Sequence, residues 1–164
     1  MEFVRFKHAR FSASFPSSYR YSRSHYWMAP PGTLENPGLE DFWRVGFTKF
    51  ATRMLGELVE AQFDVAVGSP VNPGQRIGYV EGFKAASDVF CVLEGTFAGK
   101  NDALDVDACI VRSSTYVDGW LYAVQGVPEE DHLDVHGYIA HLDAIITRMQ
   151  EDPQYASDTH GEDP

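Results

Sequence analysis

The sequence predicts a mostly β domain in which helices are accessories, and three observations carry that reading. Two runs rich in β-branched and aromatic residues, Arg76 to Val80 and Asp88 to Leu93, flank Lys84 in the pattern of a β-hairpin. Gly68-Ser69-Pro70-Val71-Asn72-Pro73-Gly74 packs two Pro and two Gly into seven residues and must turn. Helical periodicity, by contrast, is confined to one short stretch after Thr48 and one longer stretch after Asp134.

Taken in order, residues 1–14 form an extension before the main domain. Phe11, Ala13 and Phe15 alternate with Ser12 and Ser14, as in a half-buried strand packed on the domain. An alternative rests on composition: residues 1–24 carry Arg5, Lys7, Arg10, Arg20 and Arg23, six serines and the single acid Glu2, a bias shared with organellar transit peptides. The strand reading places the protein in the cytoplasm, the alternative in mitochondria. A secretory signal is not expected, because the first residues lack a continuous apolar core.

Tyr19 to Met28 reads as a strand, followed by a loop through Pro30-Pro31-Gly32 and Pro37-Gly38, and Phe42 to Phe47 as a second strand. Thr48 is an expected helix N-cap, its hydroxyl accepting from a first-turn N–H. Phe50, Ala51, Met54 and Leu55 then mark one apolar face of a short helix over 48–56, which Gly56 ends. Glu57 to Val67 returns to extended structure. After the turn at 68–74 comes the Lys84 hairpin, where Gly82 permits positive φ or close packing, and Gly95 is expected to close its second strand. Residues 101–112 are less regular and lead through Tyr116 to Tyr122 into a last strand. Val135, Tyr138, Ile139, Leu142, Ile145, Ile146 and Met149 form one helical stripe behind Asp134 as N-cap, a core-facing helix over 134–149. The domain therefore spans 15–150. The tail, 151–164, has five acids, no Lys or Arg and one aromatic, Tyr155, and is expected to be disordered.

Composition narrows the function. A chain of 164 residues is most simply one domain, able to bury about two-thirds of its unfolded surface. A net charge of −11 argues against nucleic acid and for partners with basic docking surfaces. The longest apolar runs, 89–93 and 120–124, are five residues each, too short to span a membrane. Cys91 and Cys109 form no CxxC pair and read as free thiols. His132 and His136 are four apart, but Asp134 starts the helix between them, and no third ligand lies near in sequence, so no metal site is expected. GxSxG, P-loop and GxGxxG patterns are absent. The chain reads as a non-enzyme.

A carrier needs an exposed lysine amine held where several enzymes can reach it, and a hairpin tip meets that need. The residues around Lys84 resemble a known pattern. Val80-Glu81-Gly82-Phe83-Lys84-Ala85-Ala86-Ser87-Asp88 resembles the lipoylation motif of the glycine cleavage system H protein family, close to V-E-S-V-K-A-x-S-D. Five further pieces follow family order: Ser24-His25-Tyr26-Trp27, Gly46 to Ala51, Leu55-Gly56-Glu57, Asn101 to Leu104 behind Gly95, and Tyr116-x-x-Gly119-Trp120-Leu121. The resemblance runs from about Phe15 to Met149.

It implies a lipoyl/biotinyl-type barrel-sandwich hybrid of two small antiparallel sheets. It also implies a covalent lipoyl group on Lys84, with Glu81 and Asp88 serving recognition by the lipoate-attaching enzyme. A free monomer would take an aminomethyl group from a pyridoxal-phosphate glycine decarboxylase to a tetrahydrofolate-dependent aminomethyltransferase. A dihydrolipoamide dehydrogenase would restore the disulfide. Two alternatives stay open: a lipoyl relay in another pathway, such as sulfur oxidation, and an unmodified interaction module. His25 and Trp27 are read as core packing rather than neighbours of the arm. The departures are Tyr26 for Glu, Gly82 for Ser or Ala, Ala61 to Asp64 for a Leu-Pro turn, and an unfamiliar 106–112. Val92-Leu93 replaces Pro-Val, which would let the hairpin's second strand run longer.

Overall fold

The computed structural model describes residues 1–33 and 40–152. The loop expected through Pro37-Gly38 and the acidic tail from Pro153 onward lie outside the described residues. The fold is mostly β, with antiparallel sheets and a C-terminal helix, as the sequence predicts.

Eleven strands fall into three sheets among the described residues. The N-terminal residues make a hairpin of β1 (Phe3–His8) and β2 (Phe11–Pro16), two strands where alternation suggested one; β2 crosses the expected boundary at residue 14. The central sheet has six strands in the order β3-β4-β5-β11-β10-β7. These are β3 (Arg20–Tyr21), β4 (Tyr26–Ala29), β5 (Trp43–Phe47), β7 (Pro70–Val71), β10 (Leu93–Lys100) and β11 (Tyr122–Pro128). The third sheet orders β6 (Leu58–Phe63), β8 (Arg76–Gly82) and β9 (Ala86–Phe90). Helix α1 (Lys49–Leu55) follows β5, α2 (Ile110–Ser113) lies between β10 and β11, and α3 (Val135–Glu151) closes the chain.

Strand alternation gives the central sheet two buried faces. Met28, Val45, Phe97 and Val124 pack against Leu58, Ile77, Val80 and Val89 of the three-stranded sheet. On the other face Trp27, Ala29 and Ala123 lie under Phe6, Phe11 and Phe15 of the N-terminal hairpin and Tyr138, Leu142 and Ile146 of α3. The basic N-terminal segment is thus part of a core. His8 ties the hairpin to α3, with Nδ1 2.7 Å from Asp143 Oδ1 and Nε2 2.9 Å from Gln150 Oε1.

Several local expectations change. Tyr19 to Met28 is not one strand: the backbone reverses at Ser22 to His25, where His25 takes φ +75° and the Ser22 and Ser24 hydroxyls bond at 2.7 Å. Thr48 precedes α1, but its hydroxyl makes no cap; it meets the Tyr138 hydroxyl at 2.8 Å. The Lys49 N–H donates instead to the Tyr116 hydroxyl at 3.0 Å. Met54, placed on the apolar face of α1, is 48% exposed, while Thr52 is buried. The hairpin's second strand does not lengthen. It ends at Phe90, because two tyrosine hydroxyls satisfy the corner: Phe90 N–H donates to Tyr26 at 3.0 Å and Val92 N–H to Tyr122 at 3.2 Å. Gly95 lies inside β10, opposite Gly126, rather than at a strand end. Asp134 caps α3 through its carboxylate, accepting from Gly137 N–H at 2.7 Å; the helix runs through Glu151.

Candidate functional site

Lys84 sits in the turn between β8 and β9 and is exposed. Antiparallel pairing brings Glu81 opposite Ala86 and closes the turn with Gly82 N–H donating to Ala85 O at 2.8 Å. The tip does not stand alone. Lys84 N–H donates to Leu55 O at 2.9 Å and Phe83 N–H to Glu57 O at 3.0 Å, so the end of α1 grips the turn from behind. The Leu55 carbonyl is one of the groups a helix C-terminus leaves without an intrahelical partner, and the tip supplies its donor. Lys84 Nζ lies 3.5 Å from Arg53 O, on the same carbonyl end of the helix.

Two glycines make this approach possible. Gly56 has φ +77°, and a Cβ there would lie 3.0 Å from Lys84 Cγ and 3.1 Å from Lys84 N. Gly82 answers from the other side: its Cβ would lie 2.2 Å from Leu55 O. Close packing, not positive φ, is therefore why glycine stands before Phe83. Phe83 itself is 79% exposed beside the lysine.

Glu81 and Asp88 are both exposed and share the outer face of the three-stranded sheet, in the register Glu60–Glu81–Ala86 and Gln62–Tyr79–Asp88. Asp88 Oδ1 accepts from Arg76 Nε at 3.0 Å, and the same guanidinium reaches Asp64 Oδ2 at 2.8 Å. The acidic face is thus partly neutralised by one arginine.

His25 and Trp27 belong to the far side of the central sheet. Trp27 is fully buried and packs on Tyr19, with ring centroids 5.1 Å apart. His25 is half-buried against Phe50 at 4.7 Å, and its Nδ1 lies 2.8 Å from the Tyr138 hydroxyl. Burial, and secondarily the His141 ring beside it, lower its pKa to about 4, so it is neutral at pH 7. Tyr26, the departure from the usual Glu, faces the opposite core, stacks on Phe47 and ties the base of the Lys84 hairpin through Phe90.

The unfamiliar 106–112 segment also reaches the tip's support. Arg112 Nη1 lies 3.7 Å from Glu57 Oε2. Cys109 is exposed, yet a hydrogen bond with Glu57 pushes its thiol up to about 11, away from the reactive thiolate. No helix among the described residues is long and apolar enough to cross a membrane.

A rigid β sandwich that displays one lysine on a braced turn has the form of a carrier for a covalently attached group. Comparison with known proteins specifies which carrier. The model of the glycine cleavage H-protein family matches residues 19–142. The glycine cleavage system H protein of Micrococcus luteus is 35% identical over 132 residues, covering 79% of this chain and 98% of that one. That of Pseudoalteromonas atlantica is 32% identical over 129 residues, covering 77% and 94%. A crystal structure of the H protein from Mycobacterium marinum superposes with a TM-score of 0.66 at 31% identity, covering 78% of this chain and 98% of that one. The chain belongs to the glycine cleavage H-protein family, the non-catalytic lipoyl carriers of the glycine cleavage system. The N-terminal hairpin precedes the matched region.

Proposed function

We propose that Lys84 carries the lipoyl group and that the protein shuttles aminomethyl groups between the enzymes of glycine cleavage. The observation that supports this best is the exposed Lys84 amine on a turn braced by Leu55 and Glu57, inside a lipoylation-type motif. The residues fit such a group: the amine is exposed, and the backbone beneath it is held by hydrogen bonds. When bound, the lipoyl group supplies the sulfur chemistry, accepting an aminomethyl group and later being reoxidised.

The chain's own task is mechanical and electrostatic. Lys84 Nζ forms one amide and takes no part in the later steps. The three-stranded sheet and the end of α1 hold the exposed tip in place, so that a decarboxylase, an aminomethyltransferase and a dihydrolipoamide dehydrogenase can each reach the arm. Glu81 and the Arg76-bound Asp88 present negative charge beside the tip for recognition by the lipoate-attaching enzyme. The charge of −11 draws partners with basic surfaces, and the cytoplasm is the proposed compartment.

Intact mass tests the attachment. Incubation with lipoate, ATP and a lipoate ligase adds one lipoyl group, and Lys84→Arg abolishes the gain. An unchanged mass, under conditions that modify a control carrier, sinks the reading. Reconstitution with a glycine decarboxylase and glycine tests the pathway; a lipoylated protein that never gains an aminomethyl group serves another set of enzymes.

A further inference from the structure

Two parts of the chain lie outside the matched region 19–142, the N-terminal hairpin and everything beyond residue 142, and they meet. His8 of β1 lies 2.7 Å from Asp143 and 2.9 Å from Gln150, both on α3. Phe11 of β2 meets Phe50 of α1 edge-on, with ring centroids 5.7 Å apart. Beside this junction α1 and α3 leave a groove of about 300 Å³, lined by Phe50, Met54, Ile145, Arg148, Met149 and Asp152. The four residues from α3 follow at spacings of three, four and seven, one face of the helix. Across from them Met54 is 48% exposed, an apolar side chain with water where a partner would fit.

We propose that residues 153–164 dock along this groove, with Tyr155 as the anchor and the acids beyond it on the basic hairpin. Position is the first argument. Asp152, the last described residue, lines the groove and leaves α3 in an extended conformation. The α3 wall from Ile145 to Asp152 rises about 10 Å, and the extended chain from Asp152 to Tyr155 spans about 10 Å as well. Side-chain chemistry is the second. Tyr155 is the one aromatic of the segment, and a ring with a polar tip suits an apolar groove edged by Arg148. Charge is the third. On a molecule of net charge −11, the hairpin carries Arg5, Lys7 and Arg10 against Glu2. The segment carries Asp158, Glu162 and Asp163 with no Lys or Arg. From Tyr155 to Glu162 the chain spans up to about 24 Å, enough to pass Phe50 and Phe11 and reach Arg10. Composition alone predicts disorder here; an apolar anchor site and a basic track within reach supply what composition lacks. The inference does not depend on Lys84 being modified.

Chymotrypsin cuts after accessible tyrosines, and cleavage at Tyr155, read by intact mass, reports how often the segment leaves the groove. The full chain is compared with a synthetic peptide of residues 150–164 and with two groove variants. Met54→Asp puts a charge into the groove from an exposed position, and Arg148→Glu reverses the charge at its edge. A second readout does not depend on how those variants fold. In Tyr155→Ala, which alters none of the described residues, NMR records the methyl resonances of Met54 and Met149.

The expected result is cleavage of the wild type at least about ten-fold slower than of the peptide, with most of that protection lost in both groove variants. The Met54 and Met149 methyls shift in Tyr155→Ala, because the ring against them is gone. A wild type cut as fast as the peptide overturns the proposal and leaves the groove open to another protein. Protection that rises with protein concentration puts the segment in the groove of a second copy and overturns docking within one chain. Protection with unmoved methyls and unaffected groove variants puts Tyr155 elsewhere, and the proposal again falls.

Discussion

His25 lies half-buried beside α3, its Nδ1 2.8 Å from the Tyr138 hydroxyl. Its ring is wedged between Phe50 and Tyr138, and its pKa falls from 6.5 to about 4 because the folded environment disfavours the charged form. The unfolded chain binds the proton more tightly, so this group costs stability as pH drops below about 6.5, and the loss levels off below about 4. Urea midpoints measured at pH 7 and pH 5 should show a drop that shrinks in His25→Asn. Trp120 makes the second prediction at this scale. It is 8% exposed, with the buried Arg44 guanidinium 5.9 Å above its ring. Trp120→Ala is expected to cost roughly 3–5 kcal/mol, read as a shift of the urea midpoint at constant slope. Cys109, raised to about 11, should be alkylated by iodoacetamide at pH 7.5 more slowly than a free thiol, and faster in Glu57→Gln.

At the scale of elements, α1 is too short to be stable alone and depends on what holds its ends. Its first N–H is held by Tyr116, and its Leu55 carbonyl by the Lys84 tip. Tyr116→Phe removes the first of these partners from a buried site. The expected cost is about 1–3 kcal/mol, with faster amide exchange at Lys49 as the local sign. The N-terminal hairpin is a second element whose worth is tertiary. Phe15 is fully buried against Tyr21, Tyr116 and Tyr138 although it precedes the family-matched region. Phe15→Ala should therefore lower stability by roughly 3–5 kcal/mol in chemical denaturation, while an added surface strand would lose almost nothing.

For the whole molecule, the net charge of −11 is spread unevenly, with the basic N-terminal hairpin at one side and the acidic three-stranded face at another. Association with a partner that docks on the acidic face should slow about ten-fold or more between low and high salt, as stopped-flow binding would show. The β-rich class, the Lys84 hairpin, the capped C-terminal helix and the carrier motif were legible in the amino-acid sequence. Each is written in local signals: alternation, helical spacing, a capping carboxylate, or a run of nine residues. Long-range packing, in contrast, makes Tyr116 cap α1 in place of Thr48, makes Tyr26 and Tyr122 stop the hairpin's second strand at Phe90, and makes the N-terminus a two-stranded core element. It also sets Gly56 against Lys84 and Gly82 against the Leu55 carbonyl. Those partners are distant in the chain, and a hydroxyl or a missing side chain acquires its meaning from whichever backbone group packing brings within about 3 Å. The lysine was therefore legible from its neighbours in sequence, but the support that fixes it in space was not.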